Sequence, residues 1–247
     1  MKAAGRTFEP IVYDGAGHGF MRAGEAPPPE AGAERKAVEA YAANKAGRDA
    51  AWKRRLIRMA DLQASDAVLD LATGTGDLAF AAADRAARVI GLDVTSRMVA
   101  LASARPAAGR RPRFLVGDMG SLPFPSATFH VVTTGYGLRN VPDLGVALDE
   151  IARVLRPGGV ALSLDFNRPL HPVVCAAYLG YLSVVGGALG WILHGNPDTY
   201  RYIPASIRNY PGAAGVADLM RARGFSDVRY HPILGGLLTI HRAVKPA

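Results

Sequence analysis

The stretch Val68-Leu-Asp-Leu-Ala-Thr-Gly-Thr-Gly-Asp-Leu78 decides how the rest of the chain is read. Val68 to Leu71 are apolar apart from Asp70, the pattern of a short buried strand. Gly74 and Gly76 turn the backbone tightly, and Asp77 opens an apolar helical run from Leu78 to Ala87. A strand, a glycine turn and a helix start together make a pocket for a nucleotide-type ligand. Glycine admits positive φ and close approach to the backbone, and the first N–H groups of the helix have no partner within it. Two other readings stay open on these residues alone. Gly74, Gly76 and Ala79 also satisfy the dinucleotide fingerprint, and a plain tight turn would use the same glycines.

Working outward, Arg88-Val-Ile-Gly-Leu-Asp93 reads as a second strand, ending in an acid 17 residues after Gly76. A carboxylate at that tip can accept both hydroxyls of a ribose. The structural alternative is that Asp93 serves the start of a helix that begins at Thr95 or Ser96 and runs to Ala104. Arg113-Phe-Leu-Val-Gly-Asp118 is a third strand, again ending in an acid, and the loop Met119-Gly-Ser-Leu-Pro-Phe-Pro125 follows. Asp118 suits the exocyclic amine of an adenine, with Met119 against the ring. His130 to Thr134 form a fourth strand, which opens into Gly135-Tyr-Gly-Leu-Arg-Asn-Val-Pro-Asp143 and a helix from Leu144 to Leu155. Arg156-Pro-Gly-Gly159 closes that helix and starts a fifth strand, Val160 to Phe166. This alternation implies a parallel sheet with right-handed crossovers and ligands at the C-terminal strand ends. Asp93, Asp118, Arg139 and Asp165 all fall there, and the clustering outweighs any single motif.

Composition sets the outer bounds. A length of 247 residues suits one α/β domain with additions, and 49% apolar residues argue against global disorder. The single cysteine, Cys175, excludes an intramolecular disulfide and fits a reducing compartment. The N-terminus shows no basic-then-apolar signal pattern. Much of the net charge of +8 lies in Lys45–Arg58 and Arg105–Arg113. Such clusters meet solvent, anionic lipid or nucleic acid. There is no aromatic-interleaved basic stripe, so nucleic acid is not expected as a partner. His231 and His241 lack metal-ligand spacing, so no metal is expected.

Residues from about 50 to 244 resemble the class I S-adenosylmethionine-dependent methyltransferases and, more narrowly, the ubiquinone/menaquinone biosynthesis C-methyltransferase family. The resemblance is carried by Val68–Asp77, Gly91-Leu-Asp93, Gly117-Asp118 with Leu122-Pro-Phe-Pro125, Gly137-Leu-Arg-Asn-Val-Pro-Asp143 and Leu155-Arg-Pro-Gly-Gly159. Ser206-Ile-Arg-Asn-Tyr-Pro-Gly212, Gly224-Phe-Ser-Asp-Val228 and Gly235-Gly236 follow in the family's order. The first and last of the main motifs recur across many methyltransferases, whereas the Gly-Leu-Arg-Asn-Val-Pro-Asp run is family-specific. The resemblance implies a Rossmann-like α/β fold: a mostly parallel seven-stranded sheet, helices on both faces, and an antiparallel C-terminal hairpin formed by Phe225–Ile233 and Leu237–Val244.

It also implies S-adenosylmethionine as cofactor, leaving S-adenosylhomocysteine as product. Thr75, Asp93, Asp118 and Met119 match cofactor-contacting positions. Asp70, Thr73, Gly74 and Gly76 of the turn, Val94 and Met98 beside Asp93, and Gly135 complete the expected cofactor site. Gly135 falls where some relatives carry a small polar residue. The acceptor implied is a lipophilic quinol methylated on a ring carbon. Loss of the neighbouring phenol proton makes that carbon nucleophilic, so the site must stabilise a phenolate or help remove the proton. Arg139 is expected to stabilise the oxyanion and Asn140 to orient it, the plain alternative for Arg139 being a loop-bracing ion pair with Asp143. Tyr136, His171, Tyr200, Arg208 and Tyr210 are expected on the substrate wall. Another lipophilic acceptor, a NAD-binding oxidoreductase and a catalytically silent cofactor-binding protein remain as alternatives.

Two regions stand apart. Met1 to about Arg54 resembles the C-terminal end of dienelactone-hydrolase-type α/β hydrolases, through Thr7-Phe-Glu-Pro10, Tyr13-Asp-Gly-Ala-Gly-His-Gly-Phe20 and the helix around Ala43-Asn-Lys and Ala51-Trp-Lys53. With no nucleophile motif upstream of His18, residues 1–45 read as an atypical extension of a methyltransferase domain at 46–247. Only the helix near Trp52-Lys-Arg-Arg55 fits the methyltransferase family's usual N-terminal segment. Pro172 to Leu193 contains no charged residue but is interrupted by Gly180, Gly186, Gly187 and Gly190. It is expected to be a helical lid over an apolar pocket, within a substrate-lid insertion at 167–212, with a buried core helix as the alternative and a membrane span disfavoured. A cytoplasmic protein, peripheral at the inner membrane face and homodimeric, is the expectation that goes with this reading.

Overall fold

β1 (Ala67–Leu71) is buried at every position and lies at the centre of the sheet. The computed structural model describes residues 47–107, 109–169, 171–194 and 202–247. Alternate residues of β1 feed two different cores, as a strand's two-residue period requires. Val68 faces one core, and Ala67, Leu69 and Leu71 face the other. A strand buried on both faces accounts for the nearly continuous apolar run in the sequence.

β1 is flanked by β2 (Arg88–Asp93) and β4 (Phe129–Gly135), with β3 (Arg113–Val116) beyond β2 and β5 (Leu155–Phe166) beyond β4. These five are parallel. β6 (Ser226–Ile233) and β7 (Leu238–Val244) close the sheet as an antiparallel hairpin, giving the order β3-β2-β1-β4-β5-β7-β6. The fold is the Rossmann-like one expected, and the chain reverses its direction of travel between β1 and β4. Ligands collect in the crevice beyond that point.

One face carries α1 (47–59), α2 (Asp77–Ala83), part of α5 (Pro172–His194) and α6 (Tyr202–Asn209), through Leu56, Ile57, Ala79, Leu179 and Ile207. The other carries α4 (Leu144–Val154) and α7 (Gly212–Ala222), through Leu148, Ile151, Val216 and Met220. α3 (Ser96–Ala104) packs along β2 and β3.

Three boundaries differ from the sequence reading. α2 stops at Ala83, short of Ala87, because Asp84 and Arg85 turn the chain toward β2. β3 ends at Val116, and Asp118 instead forms an isolated bridge with Ser121. Arg156-Pro-Gly-Gly159 lies inside β5, which already starts at Leu155 opposite Phe129. Gly158 takes φ +75 within a register irregularity, so the turn chemistry bends the strand instead of preceding it. The first 46 residues, with His18, lie outside the described residues, as does Tyr200.

α5 is a single helix through all of its glycines. It is not a buried core helix: Leu179 sits in the core, while Val173, Val174, Tyr181, Val184 and Trp191 are exposed. Among the described residues no helix is long and apolar enough to cross a membrane.

Candidate active site

The glycine turn is built on Asp70. Its carboxylate accepts hydrogen bonds from Thr73 Oγ1 at 2.6 Å and Thr133 Oγ1 at 2.8 Å, and is buried. Burial raises its pKa to about 6, against the opposing effect of the two hydroxyls. Asp70 thus holds the turn from below. Above it the backbone runs through Ala72 at φ +49, Gly74 at +55 and Gly76 at +88. A Cβ at Gly76 would stand 2.8 Å from the ring of Phe114, so both the angle and the space require glycine there. Among the described residues, its chain neighbours apart, nothing stands within 4 Å of where a Cβ at Gly74 would lie.

Asp93, at the end of β2, is buried and faces the same turn. One carboxylate oxygen accepts from the N–H of Gly74 at 2.8 Å, and the other from the N–H of Thr95 at 2.9 Å. The helix-start role of Asp93 is seen directly, beside a contact to the turn. It steadies the approach to α3, whose N-cap is Thr95, and it also closes the glycine turn. Each oxygen still has a second lone pair for a diol. Val94 beside it is exposed and Met98 is buried. Asp118 is exposed and accepts from the N–H of Gly120 at 2.8 Å, whereas Met119 is buried among Leu122 and Leu138. This open ledge with an apolar floor, two carboxylates and a glycine-lined backbone fits the ribose and adenine of a nucleoside cofactor.

A second set of residues, which the sequence reading left out, closes the crevice from α1. Lys53 Nζ lies 2.7 Å from Asp49 and 2.8 Å from Asp77, the first residue of α2. Arg105 reaches Asp77 at 2.6 Å and the carbonyl of Thr75 at 2.7 Å. Burial would raise the Asp77 carboxyl, but Lys53 and Arg105 hold it down at about 2. Burial likewise would lower Lys53, and the two aspartates raise it instead. Lys53 also stands 6.0 Å from the ring centroid of Tyr136, which places it across the gap between β1 and β4. The only hint in the sequence was the helix around Trp52-Lys-Arg-Arg55.

Gly135 ends β4, and Tyr136 then takes φ +61, unusual for an aromatic residue. It is held there by three contacts. Its N–H donates to Leu164 at 2.7 Å, its hydroxyl donates to Asp49 at 2.9 Å, and its ring lies 5.4 Å from that of Phe166. Burial and the Asp49 carboxylate push its hydroxyl well above the ordinary phenol range. Asn140 donates to the carbonyl of Tyr136 at 3.0 Å, bracing the same loop.

Arg139 does not pair with Asp143. Asp143 caps α4, accepting from Gly145 and Val146 at 2.7 and 3.1 Å. Arg139 Nε instead lies 2.9 Å from Asp165 at the end of β5, with both side chains under 5% exposed, at 4% and 1%. Its Nη1 donates to Ser206 Oγ on α6 at 2.9 Å and to Asn140 Oδ1 at 3.1 Å. The guanidinium lies 5.1 Å from the Phe166 ring. Burial raises the Asp165 carboxyl, and Arg139 opposes it. Tyr178 and Tyr210 are both raised by burial and feel this same pair, so the tyrosines of α5 and of the α6–α7 turn gather at Arg139. Tyr210 is buried, while His171 and Arg208 are exposed on the outer side of the same helices. Among the described residues no three His, Cys, Asp or Glu side chains converge as metal ligands.

Comparison with known proteins agrees with this geometry. The model of the ubiE/COQ5 methyltransferase family matches residues 45–245. A demethylmenaquinone methyltransferase of Thermus thermophilus is 40% identical over 203 residues, covering 81% of this chain and 92% of its own. The ubiquinone/menaquinone biosynthesis C-methyltransferase UbiE of Rubrivivax gelatinosus is 38% identical over 198 residues, covering 79% and 77%. Among solved structures, a SAM-dependent methyltransferase of Thermotoga maritima described as a possible histamine N-methyltransferase matches in fold. Its TM-score is 0.58 at 18% identity, over 86% of this chain and 97% of that one. With its glycine turn, its carboxylates at the strand ends and a match spanning most of its length, the chain belongs to the ubiE/COQ5 methyltransferase family and is an S-adenosylmethionine-dependent methyltransferase.

Proposed function

We propose that the protein methylates a ring carbon of a prenylated quinol, of the demethylmenaquinol or ubiquinol-precursor type, at the cytoplasmic face of the membrane. The observation that carries this reading is the Arg139–Asp165 pair, buried at the end of β5 and surrounded by Tyr136, Tyr178 and Tyr210. It is a buried ion pair, its guanidinium held by Asp165 and Ser206, in an apolar, aromatic setting suited to a planar phenolic ring. The names of the Thermus and Rubrivivax relatives support the same acceptor class.

In this reading Asp93 accepts the ribose hydroxyls, Asp118 the adenine amine, and Thr73 to Gly76 face the methionyl part. Asp70 supports that turn, and Val94, Met98, Met119 and Gly135 shape the walls. Lys53 and Arg105, both paired with Asp77, are the cations beside that turn. The bound cofactor, converted to S-adenosylhomocysteine in turnover, supplies an activated sulfonium methyl, so the protein's task is alignment and charge. Asp165 fixes the Arg139 guanidinium through Nε, and Ser206 fixes it through Nη1. Nη2 makes no hydrogen bond among the described residues and is left to meet the phenolate oxygen. Lowering the cost of that oxyanion makes the ortho carbon the nucleophile; it would take the methyl as the sulfonium C–S bond breaks, and the hydrogen on that carbon would then leave to water as a proton, restoring the aromatic ring. Asn140 sets the loop through the Tyr136 carbonyl. Residues 167–212 are the proposed lid, with Tyr210 on its inner wall and His171 and Arg208 nearer the entrance, while Tyr200, outside the described residues, remains a proposed substrate contact. Residues 1–45 are an extension outside this chemistry, and a homodimer is the proposed assembly.

The test is turnover with methyl-labelled cofactor and a demethylated quinol carrying a short prenyl tail. A carbon-bound aryl methyl signal in the product supports the reading. An oxygen-bound methyl, or methylation only of acceptors lacking a phenol, would sink it.

A further inference from the structure

α5 buries one side and leaves the other bare. Cys175, Tyr178, Leu179 and Leu182 pack toward the core. The opposite side presents Val173, Ala177, Tyr181, Val184, Ala188 and Trp191, spaced by three or four residues and all exposed. Val173, Val184 and Trp191 are 70%, 73% and 68% exposed. At the rise of an α-helix this unbroken apolar stripe runs about 27 Å. A contiguous exposed apolar surface of that kind marks an interaction site.

Beside the stripe, the N-terminal end of α5 is positive. Arg168 precedes α5 and Arg208 ends α6, and Arg168 Nη1 donates to the Arg208 carbonyl at 3.3 Å, tying the two segments together. Both side chains are exposed, and neither pairs with a carboxylate among the described residues. They flank an open groove of about 560 Å³ whose wall is the first turns of α5, including Cys175, Leu179 and Ser183. The unpaired N–H groups that begin a 23-residue helix add positive potential at the same place. From Phe166 to Ala217 the sequence contains three arginines and a single acid, Asp198.

We infer that this face rests on an anionic lipid bilayer, with the apolar stripe of α5 in the interfacial layer and Arg168 and Arg208 on lipid phosphates. Apolar side chains, an interfacial tryptophan and flanking arginines are what a surface-lying helix uses. The helix lies on the membrane and does not span it, since Leu179 anchors it in the core. A second copy of the chain would bring no carboxylate on its own stripe to meet these arginines, whereas a phosphate layer would. The purpose of the surface rests on the prenylated-quinol reading, because it would bring the lid to the phase in which such an acceptor dissolves. The binding itself does not rest on it.

The experiment is therefore run with neither cofactor nor acceptor. Co-sedimentation of the full chain is measured with vesicles of phosphatidylcholine alone and with phosphatidylglycerol added. Trp52→Phe leaves Trp191 as the only tryptophan reporter. Binding is expected only to the anionic vesicles, with a blue shift of Trp191 and quenching by brominated acyl chains. Arg168→Gln and Arg208→Gln should each weaken it about five-fold. Val184→Asp should weaken it on the order of ten-fold while leaving cofactor binding unchanged. No binding to anionic vesicles, binding insensitive to these substitutions, or a stripe buried in a stable dimer that ignores vesicles would each overturn the inference. None of these results would bear on which acceptor is methylated.

Discussion

At the end of β2 a buried carboxylate, Asp93, is held by two backbone N–H groups within a few residues of β1 and β2. At the end of β5 another buried carboxylate, Asp165, is held by a guanidinium 26 positions away, itself fixed by a serine on α6. Around Asp93 the crevice is thus held by backbone N–H groups, and around Asp165 by side-chain pairs between distant segments. The first kind of site tolerates change in the side chains around it. The second depends on a few partners, each of which leaves an uncompensated buried charge if lost.

The comparison is broken most severely at Arg139. Replacing it with methionine strands the Asp165 carboxylate and should cost about 3–5 kcal/mol of unfolding free energy. Urea midpoints measure this. A loss below about 1 kcal/mol would mean that the acceptor half is not built on this pair.

Acid separates two buried groups shifted in opposite senses, His241 beneath the start of α7 and Asp70 beneath the glycine turn. His241 on β7 is buried, and burial lowers its pKa to about 4, a lowering that the Ala213 carbonyl opposes only in part. Its contribution to stability is complete above the unfolded value of 6.5 and is lost as pH falls toward 4. Asp70 is raised to about 6, so its contribution is complete below 3.8 and is lost as pH rises through 6. Each amounts to about 3 kcal/mol, and between pH 4 and 6 they nearly cancel. His241→Asn should therefore gain stability on acidification from about pH 6.5 to 4, and Asp70→Asn should lose it. Equal pH profiles for the two variants would refute the assignment.

The smallest effect is expected at Asp93. Asp93→Ala should weaken S-adenosylhomocysteine binding on the order of ten-fold, the scale of a lost charged hydrogen bond, as read by calorimetry. Unchanged affinity would remove the ribose role from Asp93 and leave it only the turn.

The same contrast explains what could be read from the sequence. The cofactor half is local: strand, glycine turn and terminal acid lie in order along the chain. Gly74, Gly76 and Asp93 are therefore legible from spacing and backbone requirements, and Asp70 through the family resemblance. Arg139 was visible as a residue but not through its partner. Asp143 was the nearest acid in sequence, and the register of β4 with β5 brings Asp165 closer in space. Asp49 and Lys53 stand four apart on α1, but no pattern in a single sequence joins Lys53 and Arg105 to Asp77, 24 and 28 residues away, or Asp49 to Tyr136, 87 residues away. The helix expected to reach Ala87 ends at Ala83 because alanine suits either continuation and tertiary pairing decides, whereas α4 ends at Val154, within one residue of the expected Leu155.

Tyr136 has one more consequence, for how the crevice opens. Its hydroxyl ties the 135–141 loop to α1 through Asp49, and Arg139 ties the same loop to α6 through Ser206. Neither helix can leave without releasing a buried polar group of the loop, which favours their leaving together. α1, the loop and α6 therefore behave as one cooperative opening unit. Their amides should share a single exchange free energy, distinct from that of the strands beneath.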